Sequence, residues 1–137
     1  MLYLMALDET VRTAIADGLA CFPDVRLALL FGSRSRGTHR PDSDTDIAIS
    51  APLDQLFAIG AALSQRLGGE VDVIRLEDAS IPLVEALIAE SIVVYERDAG
   101  AGALWRSRTL AQLELDRPWY ARQRDAWLAR VATHGLT

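Results

Sequence analysis

Val11, Ile15, Leu19 and Phe22 recur at three- and four-residue intervals, the spacing of one helix face. Asp8 and Glu9 precede them, and acids there suit the orphan amides and the dipole of a helix start. A helix is therefore predicted to begin at Asp8 and to end at Pro23-Asp24. Val25–Phe31 is a short apolar run of strand formers, and Gly32–Ser43 is a loop punctuated by Gly32, Gly37 and Pro41. Asp44–Ser50 alternates, with Asp44, Asp46 and Ala48 on one face and Thr45, Ile47 and Ile49 on the other.

Asp54–Leu67 reads as a helix closed by Gly68-Gly69. Val71–Leu76 is a third strand with Asp72 between two valines. Ser80 caps a helix that starts at Ile81, with Pro82 in the turn where proline is tolerated, and Ile92–Tyr95 is a fourth strand. Beyond Asp98 the pattern is helical, with a break expected at Asp116–Pro118 and an apolar stripe of Tyr120, Trp127, Leu128 and Val131. Trp105 and Trp127 are expected to pack in the core, whereas Trp119-Tyr120 reads equally as core or interface. This order predicts an α/β (α+β) domain, a small mixed sheet with flanking helices and a helical tail. No repeat or low-complexity linker divides the chain, so 1–137 is read as one domain, with a core over about 1–97 and a tail over about 98–137.

Composition narrows the chemistry. All 14 basic residues are Arg, so neither a Walker-type phosphate lysine nor a Schiff-base lysine exists. Residues 1–96 hold seven Arg and 15 acidic residues, a net of −8, and residues 97–137 hold seven Arg and four acidic residues, a net of +3. An acidic body is poorly suited to a nucleic-acid backbone. Cys21 is the single cysteine, which excludes an intrachain disulfide and fits a cytoplasmic home; its apolar surroundings read as those of a buried small side chain. The apolar opening is too short for a signal peptide, and no run approaches the roughly 20 residues of a membrane span.

The chemistry lies in Gly32-Ser33-Arg34-Ser35-Arg36-Gly37-Thr38-His39-Arg40-Pro41-Asp42-Ser43-Asp44-Thr45-Asp46. A strand ending in Gly32-Ser33 brings backbone amides and a hydroxyl to an anion without lysine. Arg34 and Arg36 either contact phosphate or pair with Asp42 and its neighbours, and Ser43 caps or braces the turn before Asp44. Asp44 and Asp46, two apart on a strand, direct their carboxylates the same way. Close carboxylates repel unless a cation lies between them, and hard oxygen ligands with substrate phosphates suit Mg²⁺. Asp72, if its strand lies alongside, completes three carboxylates, enough for two Mg²⁺ ions. Asp72 would also stand where it could take a proton from an attacking hydroxyl.

Gly32-Ser33, ten residues, then Asp44-Thr45-Asp46 resembles the GSx10DxD signature of the DNA polymerase β-like nucleotidyltransferase superfamily. The run from Gly32 to Ser50 is similar to that of the minimal nucleotidyltransferases, the MNT proteins. The resemblance is strong over Val25–Ser50 and fair over Val71–Tyr95; after residue 98 it is one of helical character only. It implies Asp44, Asp46 and Asp72 as catalytic metal ligands, and Gly32 and Ser33 as the triphosphate grip; Arg36 and Ser43, nearby in the same loop, are counted as further nucleotide-binding candidates. It further implies ATP as substrate and a HEPN-domain toxin as partner in a hetero-oligomer. The expected activity is that of an antitoxin transferring AMP to a toxin tyrosine, with no direct nucleic-acid or membrane contact. Two alternatives remain open: an antitoxin that masks the toxin by binding, and transfer to a small molecule such as an aminoglycoside.

Overall fold

A computed structural model describes residues 2–32 and 45–135, with side chains described from residue 9 onward. The described elements run in the order α1 (Leu2–Leu19), β1 (Leu27–Phe31), β2 (Thr45–Ser50), α2 (Leu56–Leu67), β3 (Val71–Arg75), α3 (Ile81–Glu90), β4 (Ile92–Glu96) and α4 (Ala101–His134). Short 3-10 turns at Leu53–Gln55 and Leu76–Asp78 precede α2 and follow β3. The chain divides into two compact units, Met1–Ala103 and Leu104–Thr137.

In the first unit the strands form one mixed sheet, in the order β3-β2-β1-β4. β1 is central and antiparallel to both β2 and β4. β2 and β3 are parallel, and parallel neighbours need a crossover, which α2 supplies. On one face, Val11, Ile15 and Leu19 of α1 and Ile59 and Leu63 of α2 form a core with Ala28, Leu30, Ile47, Ile49 and Val94 of the sheet. The period of two along each strand leaves Leu27, Leu29 and Ala48 facing the other way. These are also buried, as are Leu87 and Ile88 of α3, which packs against β1. Two covered faces explain why β1 reads as an unbroken apolar run rather than an alternating one.

All four strands lie where the apolar pattern puts them, to within two residues at each end. The helix predicted over Asp54–Leu67 opens as a 3-10 turn and ends at Gly68, whose amide donates to Ser64 O at 2.9 Å. Ser80 occupies the N-cap of α3 in extended backbone, although its side chain makes no capping hydrogen bond. α4 begins by close contact with β4. The Gly102 amide donates to Glu96 Oε2 at 2.6 Å, a carboxylate at a helix N-terminus. A Cβ on Gly102 would lie 2.7 Å from Val93 Cγ2.

Four expectations are corrected. α1 starts at Leu2, not at Asp8; Leu2, Leu4, Met5, Ala6 and Leu7 are strong helix formers, so Asp8 is interior rather than a cap. Cys21 is exposed: the helix ends at Leu19 and the chain re-enters the core at Val25, leaving the turn between them at the surface. Pro118 lies inside one continuous 34-residue helix instead of marking a break. Proline removes one helical hydrogen bond, the one its amide would donate to the Glu114 carbonyl, and the remaining bonds of the long helix carry it through. Trp127, finally, is 49% exposed and is no core residue. Every position from 122 to 130 is exposed, so this stretch of the helix buries no apolar face.

Candidate active site

The site stands where β1 ends and β2 begins. Antiparallel pairing sets Phe31 opposite Asp46, so the next residue, Gly32, comes beside the Asp46 side chain. A Cβ added to Gly32 would sit 2.6 Å from Asp46 Oδ2, and the residue has φ +78. The positive φ is costly for any other residue, and an added Cβ would have to displace the Asp46 carboxylate oxygen from this position. Gly32 was expected to admit an anionic ligand, and the structure adds that it makes room for the half-buried Asp46 carboxylate.

Parallel pairing then sets Asp46 opposite Asp72. Strands are about 4.8 Å apart, and directly opposed residues of neighbouring strands share a face. Two carboxylates on one face at that spacing are unfavourable without a cation. β3 is an edge strand, and Asp72 is exposed while Asp46 is half-buried. The pair is thus open on one side and supported by the sheet on the other.

Thr45 anchors the arrangement and was not singled out from sequence. It is 2% exposed, the one buried polar side chain among the described residues. Its amide donates to Glu70 O at 3.2 Å, tying the start of β2 to the start of β3 and so holding the register that opposes the two acids. Its place on the apolar side of β2, between Asp44 and Asp46, was the available signal.

Of the residues expected at the site, Gly32, Asp46 and Asp72 are brought together. Ser33, Arg34, Arg36, Ser43 and Asp44 lie outside the described residues. No cluster of three metal-ligating side chains forms among the described residues. The residues present nonetheless fit a divalent cation: opposed carboxylates form a hard-oxygen donor pair, and Gly32 leaves one of them its space.

Comparison with known proteins accords with this geometry. A stretch of 72 residues is 35% identical to Protein adenylyltransferase MntA of Shewanella oneidensis, covering 50% of this chain and 52% of that protein, so the match spans about half the curated relative's length. A crystal structure of a toxin–antitoxin with AMP-PNP matches with a TM-score of 0.69 at 24% identity, over 85% of this chain and 98% of that chain. A complex of tri-AMPylated Shewanella oneidensis HEPN toxin with MNT antitoxin matches with a TM-score of 0.61 at 20% identity, over 90% of this chain and 98% of that chain. These two likenesses are of fold. The family model for "Polymerase beta, Nucleotidyltransferase" matches residues 14–100, which span the whole sheet, Gly32 and both acids. By that match the chain belongs to the polymerase β nucleotidyltransferase family.

Proposed function

We propose that the chain is an antitoxin that transfers AMP from ATP to a tyrosine of a cognate HEPN-domain toxin. The observation that carries this reading is the opposed pair Asp46 and Asp72 beside a glycine whose Cβ space a carboxylate oxygen fills. Its resemblance to a protein adenylyltransferase supports the acceptor, as does the fold shared with a tri-AMPylated HEPN toxin complex. We read 1–137 as a single minimal nucleotidyltransferase domain, a core over about 1–97 with a tail over about 98–137. ATP as the substrate fits work in the cytoplasm. Among the described residues no helix is long and apolar enough to cross a membrane.

The chemistry is a phosphoryl-group displacement. The tyrosine phenol oxygen forms a bond to the α-phosphorus of ATP, the α–β anhydride bond breaks, and pyrophosphate leaves with the bonding electrons. Asp72, on the exposed edge, takes the phenol proton. Asp44, Asp46 and Asp72 would hold Mg²⁺, which supplies charge stabilisation to the triphosphate and lowers the pKa of the attacking hydroxyl. Gly32 and Ser33 offer backbone amides and a hydroxyl to phosphate oxygens, and Arg36 and Ser43 complete the nucleotide side.

The test is mass spectrometry of the HEPN partner after incubation with the chain, ATP and Mg²⁺. An AMP increment on a tyrosine is expected, and its loss is expected in Asp46→Ala with Asp72→Ala. Undiminished transfer by that double variant would overturn the reading. A masking antitoxin is the second reading, favoured by the apolar side chains exposed on α4. It predicts that the same double variant, still bound to the toxin, protects cells as well as the parent.

A further inference from the structure

The four strands end together on the side of the sheet away from the Asp46–Asp72 pair. β1 begins at Leu27, paired there with Ser50 of β2 and Glu96 of β4, and Arg75 closes β3 opposite Ile49. Leu27 lies about 13 Å along β1 from Phe31, the partner of Asp46. A cavity of about 440 Å³ opens at this end, with Arg26, Ser50, Arg75 and Arg97 on its wall. Each of the four stands at or next to the end of a different strand. Arg12, Arg26, Arg66, Arg75 and Arg97 are the described arginines of residues 1–103. Three of these five, in an otherwise acidic segment, meet at this one cavity.

The three are unequally satisfied. Arg75 Nε donates to Ala51 O at 2.8 Å and lies 3.6 Å from Glu77 Oε1, and its Nη1 donates to Asp78 Oδ1 at 3.1 Å. Glu77, an acid of the wall, also accepts from Ser50 Oγ at 2.5 Å. Asp24, the other acid of the wall, accepts from Gln55 Nε2 at 2.9 Å. Arg97 donates to the Pro23 carbonyl at 3.2 Å and to Asp98 Oδ2 at 3.3 Å. That ion pair is exposed on both sides and so weak. The Arg26 side chain makes no hydrogen bond or ion pair among the described residues. Arg26 and Arg97 are nevertheless neighbours across the strand ends, the Arg97 amide donating to the Arg26 carbonyl at 3.0 Å. Two guanidinium groups set against one cavity repel, and an anion between them removes the repulsion. A carboxylate offers two oxygens, which one guanidinium fork consumes. A phosphate group offers three, enough for both arginines. The volume lies within the range of about 300–1,000 Å³ of small-molecule pockets, so an ester group on that phosphate fits as well.

We infer that the cavity beside Arg26 and Arg97 is a second anion site, at the opposite end of the sheet from the Asp46–Asp72 pair, and that it binds the phosphate group of free phosphate or of a small phosphate ester.

The experiment is ¹⁵N–¹H NMR of the full chain in EDTA at constant ionic strength, titrated with inorganic phosphate and, separately, with AMP. The Nε–H signals of Arg26 and Arg97, assigned by their loss in Arg26→Gln and Arg97→Gln, and the amides of Ser50 and Ala51 are followed. Saturable shifts with a Kd of about 1 mM or tighter are expected. Tighter binding of AMP identifies a phosphate ester as the ligand and equal binding identifies free phosphate; both support the site. Arg26→Gln/Arg97→Gln, read at Ser50 and Ala51, is expected to bind at least about 10-fold more weakly. Arg108→Gln/Arg122→Gln removes the same charge from α4 and is expected to bind as the parent does. If the first double variant loses its fold by circular dichroism, Arg26→Gln alone decides, because that side chain has no described partner to lose. Shifts that stay linear in ligand, undiminished binding without the two arginines, or equal weakening by the α4 variant would overturn the inference.

Discussion

At the scale of the residue, the site depends on what Gly32 lacks. Replacing it with alanine would press a methyl group against Asp46 Oδ2 and strain a backbone at φ +78. Gly32→Ala is expected to abolish most AMP transfer and to cost about 1–3 kcal/mol of stability, read by single-turnover assay and chemical denaturation. Parental activity in that variant would show that the Asp46 carboxylate has no need of this space. Gly102 offers a second single-residue test with an inverted sign. Gly to Ala inside a helix ordinarily stabilises by about 1 kcal/mol. Here the new Cβ would meet the stiff, β-branched Val93 at 2.7 Å. Gly102→Ala is therefore expected to destabilise, by about 1–3 kcal/mol, and a raised melting temperature would contradict the close approach of Gly102 to Val93.

At the scale of the element, Pro118 inside α4 is the feature to probe. An exposed helical proline costs about 3 kcal/mol relative to alanine, so Pro118→Ala is expected to stabilise α4 by up to that amount. Thermal circular dichroism should show helical signal persisting to higher temperature, and an unchanged melt would mean that the proline costs the helix nothing. The same element shows where sequence reading reached its limit. Strand positions were legible because β-formers cluster between turn residues, as in Val71–Arg75 after Gly68-Gly69. Helix limits were less so: a residue such as Asp8 or Pro118 marks a boundary only if its neighbours do not favour helix more strongly. Cys21 is exposed for a related reason, since apolar neighbours in sequence are not neighbours in space once a turn intervenes. Within the site, the residue types and spacing around Asp46 were legible in one dimension. The opposition of Asp46 and Asp72 was not, because it follows from a parallel pairing of strands that Thr45 and Glu70 help to register. The room that Gly32 leaves for Asp46 likewise depends on the β1–β2 register.

At the scale of the whole molecule, the uneven charge becomes intelligible. The acidic 1–96 segment includes the carboxylates expected to hold metal, and the basic 97–137 segment carries the exposed apolar side chains of α4. Whether the paired carboxylates drive AMP transfer to the toxin is read from the intact mass of the HEPN partner after incubation with ATP and Mg²⁺ and either the parental chain or Asp46→Ala/Asp72→Ala, each first shown to bind the partner. Added AMP is expected with the parental chain and none with the bound double variant. Equal AMP addition by both, or none by a parental chain that binds its toxin, would contradict carboxylate-driven transfer.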